Sequence, residues 1–240
     1  MKKRCLGIIT ARSGSKGVPG KNMKLLNEKP LLQYTLEFCQ ACEQVDKYVI
    51  STDSEDMASF AVAHGAEAPF LRPPELSGDM DKQEDAILHT MDYYDKDHYD
   101  CIAILTPTNP FRKLDTFSRA YQELTDSRDI RAIMSAVQCE HAPFLANIIR
   151  EDGMMVDWVD EKYKWLNRQE LPKYYRLTGS IVISEWDAFK ENQTVIHNAT
   201  KVFPVDSVEA QDIDTFLDFM VCDVLMQYGI RSEKDLDRMG

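Results

Sequence analysis

The 240-residue chain has no apolar run near the roughly 20 residues needed to cross a bilayer. Its Met-Lys-Lys-Arg start is basic like a signal peptide, but the apolar stretch after it, Cys5 to Thr10, is short and Arg12 ends it. A cytoplasmic protein with no membrane partner is expected. Positive charge is also scarce. Twenty-eight Lys and Arg against 40 Asp and Glu leave a net charge of −12, which argues against nucleic acid as a partner. Cysteine is sparse and scattered, at 5, 39, 42, 101, 139 and 222. Several of these lie in apolar runs and read as buried thiols. Cys39 and Cys42 have redox or zinc-ligand spacing, but without a second pair or a nearby histidine cluster they read as helix packing. The two best-known phosphate loops are missing. A Walker loop ending at Gly20-Lys21 would need glycine where Ser15 stands and Ser or Thr where Asn22 stands, and there is no G-x-G-x-x-G.

The composition, 44% hydrophobic and 28% charged, suits a soluble α/β domain. A chain this long can bury a substantial core without disulfides or a structural metal. The little positive charge it has is gathered. From Met1 to Lys24 there are seven basic residues and no acidic one. A solubilising N-terminus accounts for Lys2, Lys3 and Arg4. It does not account for Arg12, Lys16 and Lys21, which punctuate a Gly- and Ser-rich stretch and suggest a compact anionic ligand.

Apolar runs predict strands at 5–10, 47–51, 101–105, 132–137, 179–184 and 201–205, with a weaker one at 66–71. Helices are expected from Pro30 to Ala41, from Ser54 (an N-cap) to His64, over 82–94, over 115–125, and over 214–228. Gly65 is a natural stop for the second. Alternating strands and helices imply a three-layer α/β fold with a mostly parallel sheet. In such sheets ligands sit beyond the carboxyl ends of the strands. The 11–22 loop, Ser51-Thr52-Asp53 and Thr106-Pro107-Thr108 should therefore converge on one crevice. The pattern breaks over 139–178, which reads as an extension outside the sheet or as a surface excursion closing on its own core. The last ten residues read as a charged, loosely held tail.

Three groups carry candidate chemistry. In Ala11-Arg12-Ser13-Gly14-Ser15-Lys16, and on through Lys21-Asn22, small residues let backbone N–H groups approach phosphate oxygens while the cations add charged donors. A flexible surface loop is the plainer alternative. Asp212 and Asp214, one residue apart on an extended segment, project to one side and can share a divalent cation such as Mg²⁺ or Mn²⁺. Equally, either can cap the final helix. Arg168 and Arg176, in the irregular region, suit a carboxylate, or pair with acidic neighbours such as Glu170.

The string from Ala11 to Asn22 closely resembles the A-R-x-G-S-K-G-x-P-x-K-N signature of the CMP-sialic acid synthetase family. The resemblance continues through Val49-Ile50-Ser51-Thr52-Asp53, Phe70 to Leu76, Leu105 to Arg112, Arg168 to Pro172 and Gln211 to Thr215. It implies a nucleotide-diphospho-sugar transferase-like fold, with 1–138 and 179–230 as one cytidylyltransferase domain. The stretch 139–178 would be a dimerisation arm and 231–240 a tail. It implies CTP and a sugar acid as substrates and a homodimer as the assembly. In that scheme Arg12, Lys16, Lys21 and Asp214 are catalytic. Ala11 to Lys16, Asn22, Arg72 and Gln83 hold the nucleotide. Lys21, Thr106, Arg168, Arg176 and Thr178 face the sugar, and Asp212 and Asp214 take the metal. Where the family has L-Q-P-T and R-x-N-G-A-I-Y, this chain has Thr106, Thr178 and Val182. Near the expected cytidine site the family's small residues are replaced by Asp81, Lys82 and Gln83. These departures imply an altered acceptor, such as legionaminic, pseudaminic or another 3-deoxy-ulosonic acid. A Kdo cytidylyltransferase or other nucleotide-sugar pyrophosphorylase is the rival within the fold, though the Kdo branch's loop reads differently. A non-catalytic nucleotide-binding relative is the rival outside enzymes.

Overall fold

The computed structural model describes residues 3–78, 80–167 and 169–238. Six strands form one sheet: β1 (Cys5–Thr10), β4 (Lys47–Ser51), β5 (Cys101–Leu105), β6 (Ala132–Gln138), β7 (Tyr175–Glu185) and β8 (Thr200–Pro204). Their order is β4-β1-β5-β7-β6-β8. The pairs β1–β4, β1–β5 and β6–β8 are parallel, and β7 alone runs against its neighbours β5 and β6. Two short strands, β2 (Leu25–Leu26) and β3 (Lys29–Pro30), make a separate hairpin.

Strand alternation builds three layers. Cys5 and Ile9 face one side of β1, where they meet α1 (Leu31–Ala41), α2 (Glu55–Ala63) and α4 (Leu114–Asp126) through Leu36, Met57 and Phe117. Leu6 and Ile8 face the other side, against α3 (Gln83–Tyr94) and α6 (Trp186–Asn192) through Ile87, Met91 and Phe189. Each fully buried Leu, Ile or Phe here contributes about 1.5–3 kcal/mol. Short α5 (Glu161–Lys164) lies in the irregular stretch. A third apolar cluster seats α7 (Phe216–Gln227) on Leu26, Leu31, Phe111 and Ile213.

Four expectations need correction. Residues 66–71 form no strand; a single bridge joins Glu67 to Val49, because Pro73 and Pro74 follow at once and no neighbour extends the ladder. Strand β7 begins at Tyr175, not Gly179, since Tyr175, Arg176 and Leu177 pair with Gln138, Val137 and Ala136 beyond a bulge. Polar, exposed Tyr175-Arg176 hid that extension from an apolar-run reading. Helix α7 starts at Phe216 rather than Asp214. Thr215 is its N-cap, and the Thr215 and Asp218 side chains satisfy each other's backbone N–H groups. The end of the chain is also less loose than expected. Helix α8 (Glu233–Asp237) is fastened where the Ser207 N–H donates to Glu233 at 2.9 Å, and Ile230 before it is buried.

Candidate active site

The 11–22 loop leaves β1 at the carboxyl edge of the sheet and is pinned at several points. The Asp53 carboxylate, just past β4, accepts from the Ser13 N–H at 2.7 Å and the Ser13 hydroxyl at 2.5 Å. Burial works to raise the Asp53 carboxyl, but these bonds outweigh it and hold it below the usual range. The Asn22 amide donates to the Arg12 carbonyl at 3.0 Å. Arg12 itself donates to the Gly78 carbonyl at 2.6 Å.

On the far side the loop meets the segment before α7. Gly17 packs on the Asp214 carbonyl so closely that a Cβ there would lie well inside 3.0 Å. The Lys21 ammonium donates to the Ile213 carbonyl and lies 3.5 Å from the Asp214 carboxylate. Between loop, segment and the turn after β5 is a cleft of about 290 Å³, lined by Arg12, Gly14, Ser15, Lys16, Gly17, Lys21, Asn22, Thr106, Pro107, Thr108 and Asp214. A second cavity of about 260 Å³ shares Thr10 and Arg12 with it. Its other walls include Arg72, Leu76, Gly78, Asp81, Lys82 and Gln83. Gln83 donates to the Thr10 hydroxyl at 2.6 Å. The Arg72 guanidinium is buried and donates to the Ser51 hydroxyl at 3.1 Å and the Ser51 carbonyl at 2.6 Å. Burial lowers its pKa, and Asp53 partly offsets that.

The two carboxylates differ. Asp214 is exposed, with 78% of its side chain open. Asp212 is half-buried, and its Oδ1 atom has no hydrogen-bond partner among the described residues. Burial pushes the Asp212 carboxyl up and the Asp214 charge adds to it, while a bond from Thr108 and the charges of Lys21 and Arg176 pull it down. Neither residue caps α7, because Thr215 does. No cluster of three or more His, Cys, Asp or Glu fit to hold a metal occurs among the described residues. Two hard carboxylates, one with an orphaned buried oxygen, fit Mg²⁺, which keeps several waters and takes substrate phosphate as a further ligand.

Thus Arg12, Gly14, Ser15, Lys16, Lys21, Asn22, Thr106 and Asp214 share the first cleft, and Arg72 and Gln83 join Arg12 in the second. Ala11 is buried behind the loop, and Ser13 is engaged by Asp53. Arg176 is exposed on β7 and bears on Asp212. The Thr178 hydroxyl lies in a buried cluster with Ser135 at 2.6 Å and Ser180 at 3.1 Å. Arg168 lies outside the described residues. Thr108 lines the cleft as part of the turn expected there; Gly17 and Thr10 have no role of their own in the sequence reading, since each is ordinary by type and only the long-range contact reveals it.

The cytidylyltransferase family profile matches residues 6–210. The chain is 29% identical over 238 residues to the N-acylneuraminate cytidylyltransferase of Escherichia coli, covering 98% of this chain but 55% of that protein. It therefore spans about half the length of that relative. It is 30% identical over 239 residues to the CMP-N,N'-diacetyllegionaminic acid synthase of Legionella pneumophila, covering 93% and 97% of the two. A solved CMP:2-keto-3-deoxy-manno-octonic acid synthetase, complexed with CTP, superposes with a TM-score of 0.70 at 17% identity, covering 93% of this chain and 98% of that one. That last likeness concerns the fold.

Proposed function

We propose that this chain, which belongs to the cytidylyltransferase family, transfers CMP from CTP to the anomeric hydroxyl of a sialic-acid-like nonulosonic acid and releases pyrophosphate. It is a CTP-dependent nucleotidyltransferase. The observation that carries the reading is a pair of cavities that share Thr10 and Arg12, the first with a cationic small-residue loop on one wall and Asp214 on the other. Similarity along 97% of the Legionella enzyme's length supports a nonulosonic acceptor.

In this reading the sugar's anomeric oxygen attacks the α-phosphorus of CTP in line, the new P–O bond forms as the bond to the β-phosphate oxygen breaks, and pyrophosphate departs. Such transfers need positioning and charge neutralisation more than covalent help from the protein. Lys16, Arg12 and the N–H groups of residues 14–16 hold the triphosphate and neutralise the leaving pyrophosphate. The cytidine sits in the second cavity, flanked by Arg72 and Gln83, and Asn22 steadies Arg12 from behind. Lys21, already beside Asp214, is placed for the α-phosphate or the sugar carboxylate. As the alternative to metal activation, Asp214, exposed at the cleft, takes the proton from the attacking hydroxyl. Asp212 and Asp214 are the residues that would hold Mg²⁺ or Mn²⁺, which when bound neutralises phosphate charge and acidifies the attacking hydroxyl.

The acceptor's side is assigned to Thr106, Arg168 and Arg176, with the arginines meeting its carboxylate; Thr178, expected there from the sequence, is instead buried with its hydroxyl against Ser135 and Ser180. The same reading takes the protein as a cytoplasmic homodimer with the stretch between β6 and β7 as the arm between copies; the expected arm of 139–178 is shortened because Tyr175 to Thr178 belong to β7. Ile148, Ile149 and Trp165 in that stretch are 85%, 76% and 80% exposed, which favours a covering partner. No helix among the described residues is long and apolar enough to cross a membrane. The test is kcat/KM for CTP with a panel of acceptors. A legionaminic-, pseudaminic- or other 3-deoxy-ulosonic acid is expected to exceed Neu5Ac, and Neu5Ac as the best acceptor would overturn the altered-acceptor reading.

A further inference from the structure

Asn109 is 1% exposed and follows the Thr106–Thr108 turn that lines the cleft. Its amide works in two directions. The Thr106 hydroxyl donates to Asn109 Oδ1 at 2.8 Å, and Asn109 Nδ2 donates to the Gln211 carbonyl at 3.0 Å. Strand β7 passes this amide at close range. A Cβ on residue 179 would come within 2.7 Å of Asn109 Oδ1, and glycine stands there. One residue earlier, the Ile213 N–H donates to the Thr108 carbonyl at 3.0 Å. Gln211 and Ile213 are the two neighbours of Asp212. The segment carrying the carboxylates is therefore fastened on both sides to residues 108 and 109. An asparagine side chain supplies an acceptor and a donor on one rigid plane. Here that plane ties the cleft wall at Thr106 to the backbone that aims Asp212.

We propose that Asn109 is a positioning residue for the cytidylyl transfer, fixing the Thr106 hydroxyl and the Asp212 backbone relative to one another. The proposal rests on the transferase reading above. Asn109 does not line the cleft; it acts by holding Thr106, which does, against the backbone of Asp212. A merely structural asparagine would, on removal, lower stability and leave the chemistry of the folded enzyme as it was.

The test uses the full chain as wild type, Asn109→Ala and Asn109→Asp. The alanine removes both bonds. The aspartate keeps an acceptor for Thr106 but sets a carboxylate against the Gln211 carbonyl. Pyrophosphate release from CTP, thermal midpoint and hydrogen exchange of the 208–216 region are measured on each. Both variants are expected to lose kcat on the order of 10- to 100-fold, with the KM for CTP held within about twofold, since the 11–22 loop is untouched. The Ile213 amide is expected to exchange about tenfold faster well below the midpoint. Folded variants with wild-type kcat, or with unchanged exchange at 213, overturn the proposal. Should either variant fail to fold, Asn109→Ser, smaller and still polar, is read by the same criteria. If wild type releases no pyrophosphate with any acceptor, the transferase reading falls, whereas the exchange comparison still decides whether Asn109 holds the 211–213 segment.

Discussion

Gly17 and Asp214, nearly 200 residues apart in sequence, meet backbone to backbone, with no room for a side chain between them. The contact locks the basic loop to the segment bearing the carboxylates, and so sets the width of the cleft. Gly17→Ala must push the two apart. Its kcat/KM is expected to fall on the order of 100-fold while the circular dichroism of the fold is retained. A variant with wild-type kinetics would show that the closeness is incidental.

Separate roles for neighbouring residues follow from the capping box. Thr215 and Asp218 cap α7, so Asp214 is free for chemistry. Thr215→Ala is expected to cost about 1 kcal/mol of stability by denaturant unfolding. Asp214→Asn is expected to leave stability nearly unchanged and to cut kcat strongly. The reverse pattern, a large stability loss with Asp214→Asn, would return Asp214 to a capping role.

Lys16 lines the cleft from an exposed loop position. Lys16→Ala is expected to raise the KM for CTP and lower kcat together, because ground-state phosphate binding and leaving-group neutralisation draw on the same charge. Unchanged CTP kinetics would remove Lys16 from the site.

Away from the cleft, Glu209 is 1% exposed, and burial pushes its carboxyl up to about 6, against the pull of Lys113 and a bond from Thr116. The folded state holds this proton more tightly than the unfolded chain. Its contribution to stability is therefore full below the ordinary carboxyl range and is lost as pH rises through about 6. Unfolding free energy measured from pH 4 to 7 should fall by about 2 kcal/mol from this group. Glu209→Gln should flatten that part of the profile, and an unaltered slope would assign it elsewhere.

Much of this architecture is legible in the chain. Buried strands such as Cys101–Leu105 are short apolar runs, and Ser54 caps α2 as its type predicts, its hydroxyl accepting from the Met57 N–H. The loop's small residues and cations stand out because nothing else in an acidic protein resembles them. What stays hidden depends on contacts between distant segments. Tyr175-Arg176-Leu177 joins the sheet through its partners on β6, and its side chains do not announce a strand. Asn109 reads as a turn residue until Gln211 is brought to its amide. Gly17 looks like one more flexible loop glycine until Asp214 arrives beside it. The Thr215–Asp218 box is local, yet the carboxylates just before it draw the eye to the wrong cap.

Cytidylyl transfer is tested by pyrophosphate release from CTP and Mg²⁺, with and without added nonulosonic acid, and with UTP in place of CTP. Release is expected to need both CTP and one of the sugar acids, with little from UTP. Release that ignores the sugar acid, or silence across the panel while CTP still binds, would contradict it.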